Sequence, residues 1–160
     1  MSLIEPPPYF AYGSNLLSRR MRARIPSARA LGTAWVDGHR LSLGKAGRDG
    51  SGKATLVADP GARVWGVLYA IDPAHWRQLD GFEPGYTRVT LVVTTKGRER
   101  VRVSTYVAPP TASDPVPFAW YKRLIVEGAR EHNLPTPYVE ALLQLPERPD
   151  PNRLGPEPIS

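Results

Sequence analysis

The pattern of apolar and polar positions predicts strands along most of the chain and regular helices near its end. An apolar run from Tyr9 to Tyr12 stops at Gly13-Ser14-Asn15, and a helical-looking segment, Leu16 to Arg24, follows at once. We therefore expect a strand that enters a helix through a tight turn. Gly13 can adopt backbone angles closed to other residues, and Ser14 or Asn15 can cap the helix.

The middle of the chain consists of apolar, β-branched runs separated by turn dipeptides, a pattern typical of short strands. A glycine-rich segment, Gly44 to Lys53, interrupts these runs and is predicted to be a loop. The predicted strands are Ala34–Leu43, divided in two by Asp37-Gly38; Ala54–Ala58 and Val64–Ile71, joined by Pro60-Gly61; and Tyr86–Thr95 and Glu99–Val107, joined by Lys96-Gly97.

Three helices are predicted after the first one. Asp72-Pro73 is a helix-start signal, an N-cap followed by proline in the first turn, and the helix runs through Trp76 to about Leu79. Phe118–Glu131 and Pro137–Leu145 carry helical periodicity. The predicted fold class is α+β, a small curved antiparallel or mixed sheet, barrel-like, with helices outside it.

The composition fits one globular domain. With 160 residues, 41% of them hydrophobic, the chain can bury a core of useful size. We expect a single domain over residues 1–145 and a proline-rich tail over residues 146–160. No apolar run reaches the roughly 20 residues of a membrane span, and the first residues lack the basic start and apolar centre of a signal peptide. A cytoplasmic protein without membrane association is expected.

The absence of cysteine excludes a disulfide, a thiolate nucleophile and a cysteine-based metal site. His39, His75 and His132 lie far apart in sequence, with no metal-ligand spacing and no serine elbow nearby. We therefore predict no metal and no cofactor. Carboxylates remain as the candidates for acid–base chemistry.

The net charge of +6 does not by itself indicate nucleic-acid binding. One group of arginines lies along the first predicted helix and is in part a solvated face. In the second group, charged and apolar residues alternate as on the solvated face of a strand. No aromatic and basic motif of a nucleic-acid reader accompanies them, so we predict no nucleic-acid partner. The groups are Arg19, Arg20, Arg22 and Arg24, and Arg98, Arg100 and Arg102.

The segment from Gly47 to Ala54 nearly matches a phosphate-binding loop, but the match fails at two points. Ala54 stands where the motif needs a serine or threonine to hold magnesium. A strand is predicted after it, whereas the motif needs a helix. The segment is instead predicted to be a mobile flap near the functional site.

Glu83 is the carboxylate of greatest interest. It lies between a predicted helix end and a predicted strand start, flanked by Phe82, Pro84 and Gly85. A carboxyl group held among apolar neighbours has a raised pKa and can move a proton near neutral pH. The alternative is a solvated loop glutamate.

The Gly13-Ser14-Asn15 turn is a second candidate. A strand that enters a helix in this way presents free backbone N–H groups, which suit a carboxylate or a developing oxyanion. Taken alone, the tetrad that begins at Tyr12 also fits an ordinary strand–turn–helix junction.

Four sequence blocks favour a functional interpretation of Glu83 and of the turn over a structural one. They are Tyr12–Leu16, Val64–Tyr69, Leu79–Glu83 and Tyr121–Pro135, in this order. With them the chain resembles the γ-glutamylcyclotransferases whose loop reads Tyr-Gly-Ser-Asn, over residues 9 to about 145. Asn15 argues against the related glutathione-specific branch, whose loop usually lacks the Asn-Leu ending.

The resemblance implies a small β-barrel flanked by helices, with a cavity at one end. Glu83 matches the family's catalytic glutamate. The family's substrate-binding loop and the tyrosines that it tends to place near the cavity match Tyr12, Gly13, Ser14, Asn15, Leu16, Tyr86 and Tyr121.

The activity implied is the cyclisation of small γ-glutamyl amino acids or amines to 5-oxoproline with release of the free amine, Glu83 acting as general base and then acid. Two alternatives stay open within the same fold: removal of a γ-glutamyl group from a larger biosynthetic or lysine-linked substrate, and a binding module without turnover. The sequence leaves open which amine departs, whether the chain forms a homodimer, and whether the loop amides bind the oxyanion or the α-carboxylate.

Overall fold

Five β-strands and four α-helices make up residues 6–153, the part of the chain that the computed structural model describes. Short 3₁₀ segments, Ser14–Leu16 and Pro73–His75, precede α1 and α2. No helix within the described residues has the length and apolarity needed to cross a membrane. The elements are β1 Tyr9–Ala11, α1 Ser18–Arg24, β2 Arg29–Ala46, β3 Gly52–Ala70, α2 Trp76–Gly81, β4 Thr87–Thr95, β5 Arg100–Val107, α3 Ala119–Glu131 and α4 Thr136–Leu143.

The strands close into a barrel in the order β1, β3, β2, β4, β5. The β1–β5 pair that closes it is parallel, and the other neighbouring pairs are antiparallel. Phe10, Val64, Val67 and Val103, which lie on these strands, are fully buried. The predicted α+β class, with a mixed barrel and flanking helices, is confirmed.

Two predicted turns in the first half of the chain are wrong, because β2 and β3 are each continuous and pair with each other along most of their length. The turn dipeptides around Gly38 and Gly61 instead mark an irregularity in this ladder, where the register shifts between Asp37 and His39. Both glycines have a positive φ, of 77° and 86°, which glycine adopts at little steric cost. They serve a bulge that bends the long ladder rather than a turn that ends it.

The glycine-rich loop is shorter than predicted. β2 extends through Ala46 and β3 begins at Gly52, so the turn comprises only residues 47–51. The Ala46 N–H donates to Thr111 Oγ1 at 2.8 Å, and the Gly52 N–H donates to the Val116 carbonyl at 3.0 Å. Because the segment between β5 and α3 supplies these partners, the strand ends stay ordered without favourable strand residues.

One of the two predicted helix caps is present and the other is not. Asp72 accepts a backbone N–H in the first turn after it, as predicted. Ser14 and Asn15 make no capping hydrogen bond, so that prediction is wrong. The Glu131 carboxylate, from the end of α3, accepts the Ser18 N–H at 2.9 Å instead. The side chains of Ser14 and Asn15 are therefore available for other contacts.

α3 packs closely against the segment that follows β1, and a glycine makes this approach feasible. A Cβ atom added at Gly128 would lie 2.5 Å from the Leu17 backbone nitrogen and 2.6 Å from the Leu16 Cβ atom. Leu16 is fully buried at this contact. Gly128 thus sets the distance between α3 and the turn of residues 13–16.

We expect Gly128→Ala to lower the free energy of unfolding by about 1–3 kcal/mol, the usual cost of forcing a methyl group into a packed contact. Urea unfolding followed by circular dichroism measures it. Gly81→Ala is the matched control, because a Cβ atom at that helical glycine meets nothing within 4 Å, and it should be neutral or gain about 0.4–1 kcal/mol. Equal stability of the two variants would contradict the close packing of α3.

Residues 146–153 contact the start of α3 and the residues just before it. Trp120 Nε1 donates to Asp150 Oδ2 at 3.1 Å, and the Arg148 N–H donates to the Pro117 carbonyl at 3.0 Å. Residues 154–160 lie outside the described residues, so the division into a domain and a tail stays a prediction.

Candidate active site

A cavity of about 420 Å³ is lined by residues that lie far apart in sequence, from Tyr9 to Tyr121. Its wall includes the turn after β1, one face of α1, the β2–β3 turn, the segment between α2 and β4, and single residues of β5 and α3. All predicted site residues except Leu16 lie on this wall. The lining residues are Tyr9, Tyr12, Gly13, Ser14, Asn15, Arg20, Arg24, Lys45, Ala46, Gly47, Arg48, Lys53, Ala54, Phe82, Glu83, Pro84, Gly85, Tyr86, Tyr106 and Tyr121.

Glu83 is held in a tight turn at the end of α2. Its N–H donates to the Asp80 carbonyl at 3.1 Å, and its own carbonyl accepts the Tyr86 N–H at 3.2 Å. The side chain is 14% exposed. Burial raises the pKa of the Glu83 carboxyl to about 7, although Arg24, Arg20 and Lys45 act in the opposite direction. The group is therefore poised between its charged and neutral forms at neutral pH.

Asn15 links Glu83 to two other walls of the cavity. Its Nδ2 atom donates to Glu83 Oε1 at 3.3 Å and to the Tyr9 hydroxyl at 3.1 Å. Its Oδ1 atom accepts from Arg24 Nη1 at 3.3 Å. With both ends of the amide engaged, the Asn15 side chain has one orientation, and it fixes the carboxylate relative to the turn after β1.

Two arginines of α1 face the cavity, which the sequence did not reveal. Arg20 is 6% exposed and its Nε atom donates to Ser14 Oγ at 3.0 Å. Burial, and next the charge of Arg24, lower the pKa of the Arg20 guanidinium to about 10, so it stays charged at neutral pH. Arg19 and Arg22, in contrast, are exposed, as expected for a solvated face.

Arg24 lies one helical turn after Arg20, with Nη1 at 4.0 Å from Glu83 Oε1. Its guanidinium stacks on the Phe82 ring at 5.2 Å. The buried Nε atom has no hydrogen-bond partner among the described residues. The spacing of four residues between the two arginines was the available signal, since it puts both on one face of a helix.

Two of the predicted tyrosines hold the same backbone unit. The Tyr86 hydroxyl donates to the Ala54 carbonyl at 2.6 Å, and the Tyr121 hydroxyl accepts the Ala54 N–H at 3.0 Å. Burial raises the pKa of both phenols, which therefore remain protonated at neutral pH. Since the Tyr121 oxygen accepts here, its own proton is available to a group in the cavity.

The third predicted tyrosine, Tyr12, donates its hydroxyl proton to the Tyr106 carbonyl, and burial raises its pKa as well. Tyr106, a cavity residue that the sequence did not reveal, donates to Asp80 Oδ1 at 2.5 Å. Tyr9 packs edge-on against the Tyr106 ring. Tyr9, Tyr12 and Tyr106 thus form an aromatic wall of the cavity that also contains Glu83.

Leu16 is the predicted site residue that the structure does not bring to the cavity. Its side chain is fully buried in the core, and its N–H donates to the Gly13 carbonyl at 3.0 Å. Of the four turn amides from Gly13 to Leu16, the last is therefore already used within the turn.

The β2–β3 turn and the strand ends beside it bring three further cations to the cavity that sequence reasoning did not assign to the site: Lys45, Arg48 and Lys53. Gly47 and Arg48 of this turn line the cavity, and hydrogen bonds within the turn, such as Gly50 N–H to the Gly47 carbonyl at 3.0 Å, define its shape. Its role as a mobile flap stays a prediction. Within residues 6–153, no cluster of three histidine or acidic side chains is arranged to hold a metal ion.

Known proteins are similar to this chain in sequence and in fold. The AIG2-like family model matches residues 63–142. The γ-glutamylcyclotransferases of Homo sapiens and Mus musculus are each 34% identical to this chain over 143 residues, covering 84% of this chain and 76% of theirs. A solved structure described as a γ-glutamyl cyclotransferase has a TM-score of 0.84 at 30% identity and covers 92% of both chains.

These likenesses define an enzyme of the cyclotransferase class built on a closed barrel. The chain belongs to the γ-glutamylcyclotransferase family, and its residues 63–142 match the AIG2-like family.

Proposed function

We propose that the enzyme cyclises γ-glutamyl amino acids or amines to 5-oxoproline and releases the free amine, with Glu83 carrying the proton. One observation carries the proposal: Glu83 and the turn after β1 meet in one cavity. The Asn15 Nδ2 atom lies 3.3 Å from Glu83 Oε1, although the two residues are 68 positions apart in sequence. The expected partner is a small molecule.

The chemistry is an internal attack. The substrate's α-amine adds to its own γ-carbonyl carbon, which closes a five-membered ring and places a negative charge on the carbonyl oxygen. The bond from that carbon to the leaving nitrogen then breaks. Two protons leave the α-ammonium group as it becomes the ring amide, and two reach the leaving nitrogen as it becomes a free ammonium group, so the protons balance.

Glu83 is suited to pass these protons in succession. A general base works best when its pKa lies near the working pH, and the pKa of Glu83 is raised to about 7. Its hydrogen bond with the Asn15 side chain holds the carboxylate beside the turn after β1. Holding the substrate folded, with amine and carbonyl in contact, contributes a proximity effect of several kcal/mol, with an upper range of about 7–11 kcal/mol.

We assign recognition of the γ-glutamyl head to the wall formed by α1 and the turn after β1. Arg24, with its unpartnered Nε atom, and Arg20 are the charged candidates for the α-carboxylate. The amides of Gly13, Ser14 and Asn15 and the Tyr121 hydroxyl are the candidates for the oxyanion. The Tyr121 oxygen lies 3.7 Å from where a Cβ atom at Gly13 would stand, which supports a shared role.

The test is release of 5-oxoproline by the purified protein from a panel of γ-glutamyl amino acids, alkylamines and lysine-linked peptides. We expect product from the small substrates. Product from larger or lysine-linked substrates alone would favour the second hypothesis, and binding without any product would favour a binding module.

The pH profile gives an independent test. Because the base must be ionised to accept a proton, kcat/KM should fall as the pH drops below about 7, the pKa to which burial raises Glu83. We expect roughly a tenfold loss per pH unit on the acid side. Circular dichroism at pH 5.5 controls for unfolding. A flat profile between pH 5.5 and 8 would contradict the assignment of Glu83.

A further inference from the structure

The cavity holds far more positive than negative charge. Among the described residues that line it, Glu83 is the one carboxylate, and it is partly neutral at pH 7 because its pKa is about 7. The cationic groups repel one another across the cavity. Although burial is the main cause of the lowered pKa of Lys53, Arg20 and Arg24 also contribute to it. The cationic lining residues are Arg20, Arg24, Lys45, Arg48 and Lys53.

These cations form two groups. Arg20 and Arg24 contact Ser14 and Asn15, on the wall assigned to the γ-glutamyl head. That head carries one carboxylate and one ammonium group, so it brings no net negative charge. The remaining three cations lie on the β2–β3 turn and its flanking strand ends, and nothing in the head neutralises them.

Lys45, at the end of β2, and Arg48, in the turn, make no ion pair within residues 6–153, although the charge of Lys45 acts on the Glu83 carboxyl across the cavity. Lys45 Nζ donates to the Pro84 carbonyl at 3.3 Å and lies 4.7 Å from the centre of the Tyr86 ring, so both partners are uncharged. Arg48 is exposed and has neither an ion pair nor a ring contact in this part of the chain. Lys53 differs, because Asp49 Oδ2 lies 3.4 Å from its Nζ atom.

We propose that the enzyme prefers γ-glutamyl substrates whose leaving group is an acidic amino acid, with Lys45 and Arg48 receiving its two carboxylates. A neutral amino acid brings one carboxylate to this rim, an alkylamine brings none, and a cationic leaving group is repelled. The inference rests on the proposed function, since it names the leaving group of that reaction. Complementary charge at a partly enclosed rim favours one partner over another more than it adds affinity.

A matched pair of substrates isolates the charge. γ-Glutamyl-glutamate and γ-glutamyl-glutamine are nearly equal in size and differ by one carboxylate. We expect kcat/KM for the first to exceed that for the second by about tenfold at 20 mM salt, and the ratio to fall below about threefold at 500 mM, because exposed charges are screened there. A ratio of one or less at low salt would overturn the proposal.

Single substitutions locate the effect. Lys45→Gln and Arg48→Gln should each bring the substrate ratio closer to one. Arg100→Gln is the matched control. It removes the same charge, but from an exposed position on β5 that does not line the cavity. If Arg100→Gln changed the ratio as much as Arg48→Gln, net charge rather than the rim would be responsible, and the proposal would be wrong.

The two proposals fail in different ways. If both dipeptides yield 5-oxoproline at equal rates, the cyclase stands and the preference is wrong. If neither yields product, the cyclase is wrong, and calorimetric titration with the same dipeptides still decides the preference. Tighter binding of γ-glutamyl-glutamate supports it, and equal dissociation constants overturn it.

Discussion

Glu83→Gln lowers kcat by about 10²–10⁴ on the expected mechanism, because glutamine keeps the size and polarity of the side chain but cannot accept the proton. The Asn15 contact at 3.3 Å has a polar partner in either case, so the cavity should keep its shape. Rates of 5-oxoproline release measure the loss, and calorimetry measures substrate binding, which should be largely retained. A variant with more than about a tenth of wild-type activity would show that Glu83 is not the proton carrier. Glu99→Gln, at an exposed position beyond β4, is the control and should be fully active.

Glu83→Gln should lower kcat but raise the free energy of unfolding near neutral pH, so a loss of activity in this variant is not a loss of folding. The pKa of Glu83 is about 7 in the folded chain against an ordinary value of 4.5. A proton retained by the folded state stabilises it fully below pH 4.5, and this contribution is lost as the pH rises through 7. The free energy of unfolding of the wild type should therefore fall relative to that of Glu83→Gln as the pH rises from 4.5 to 7, and the difference should persist above pH 7. At about 1.4 kcal/mol per pKa unit, the upper limit is roughly 3 kcal/mol.

Substrates without the α-amine should yield no product at all. Glutaryl-alanine keeps the carboxylate and the scissile amide of γ-glutamyl-alanine but lacks the nucleophile. Because the proposed reaction uses no water, neither a cyclic product nor free glutarate should form, and the compound should act as a competitive inhibitor. Mass spectrometry of the reaction mixture decides this. Release of glutarate at a rate near that of 5-oxoproline would mean that the site activates water and is a hydrolase.

A companion compound tests the other half of the head. γ-Aminobutyryl-alanine keeps the attacking amine but lacks the carboxylate assigned to Arg20 and Arg24. Buried polar groups left without a partner penalise such an analogue, so we expect kcat/KM to fall by at least 10². Unchanged kinetics would contradict the role assigned to these arginines.

The strands β4 and β5 and the interest of Glu83 as a buried carboxylate could be predicted from the sequence, because both signals are local. Glu83 stands among apolar neighbours next to a helix end, and β4 and β5 flank a turn dipeptide, so both predictions needed only a few adjacent residues. The long ladder of β2 and β3 was not readable in this way. Gly38 and Gly61 signal positive φ, but whether such a residue ends a strand or bends it depends on the partner strand.

The inward arginines show the same limit for the site. An arginine on a short helix is usually solvated, and Arg20 and Arg24 become cavity residues only because Glu83 and the aromatic wall, far along the chain, cover them. Tyr106 likewise reaches the cavity through barrel closure, which pairs β5 with β1.

The two hydrogen bonds that hold the backbone of Ala54 have a consequence for how the enzyme can evolve. Its N–H and its carbonyl are each held by a tyrosine, so the start of β3 is anchored on one side of the β2–β3 turn independently of what that turn contains. Mutations, insertions or exchanges within residues 47–51 then alter the rim while the chemistry behind it is preserved. On the proposed assignment, a descendant lineage can change which amine it releases by drift in this short stretch, without passing through inactive ancestors.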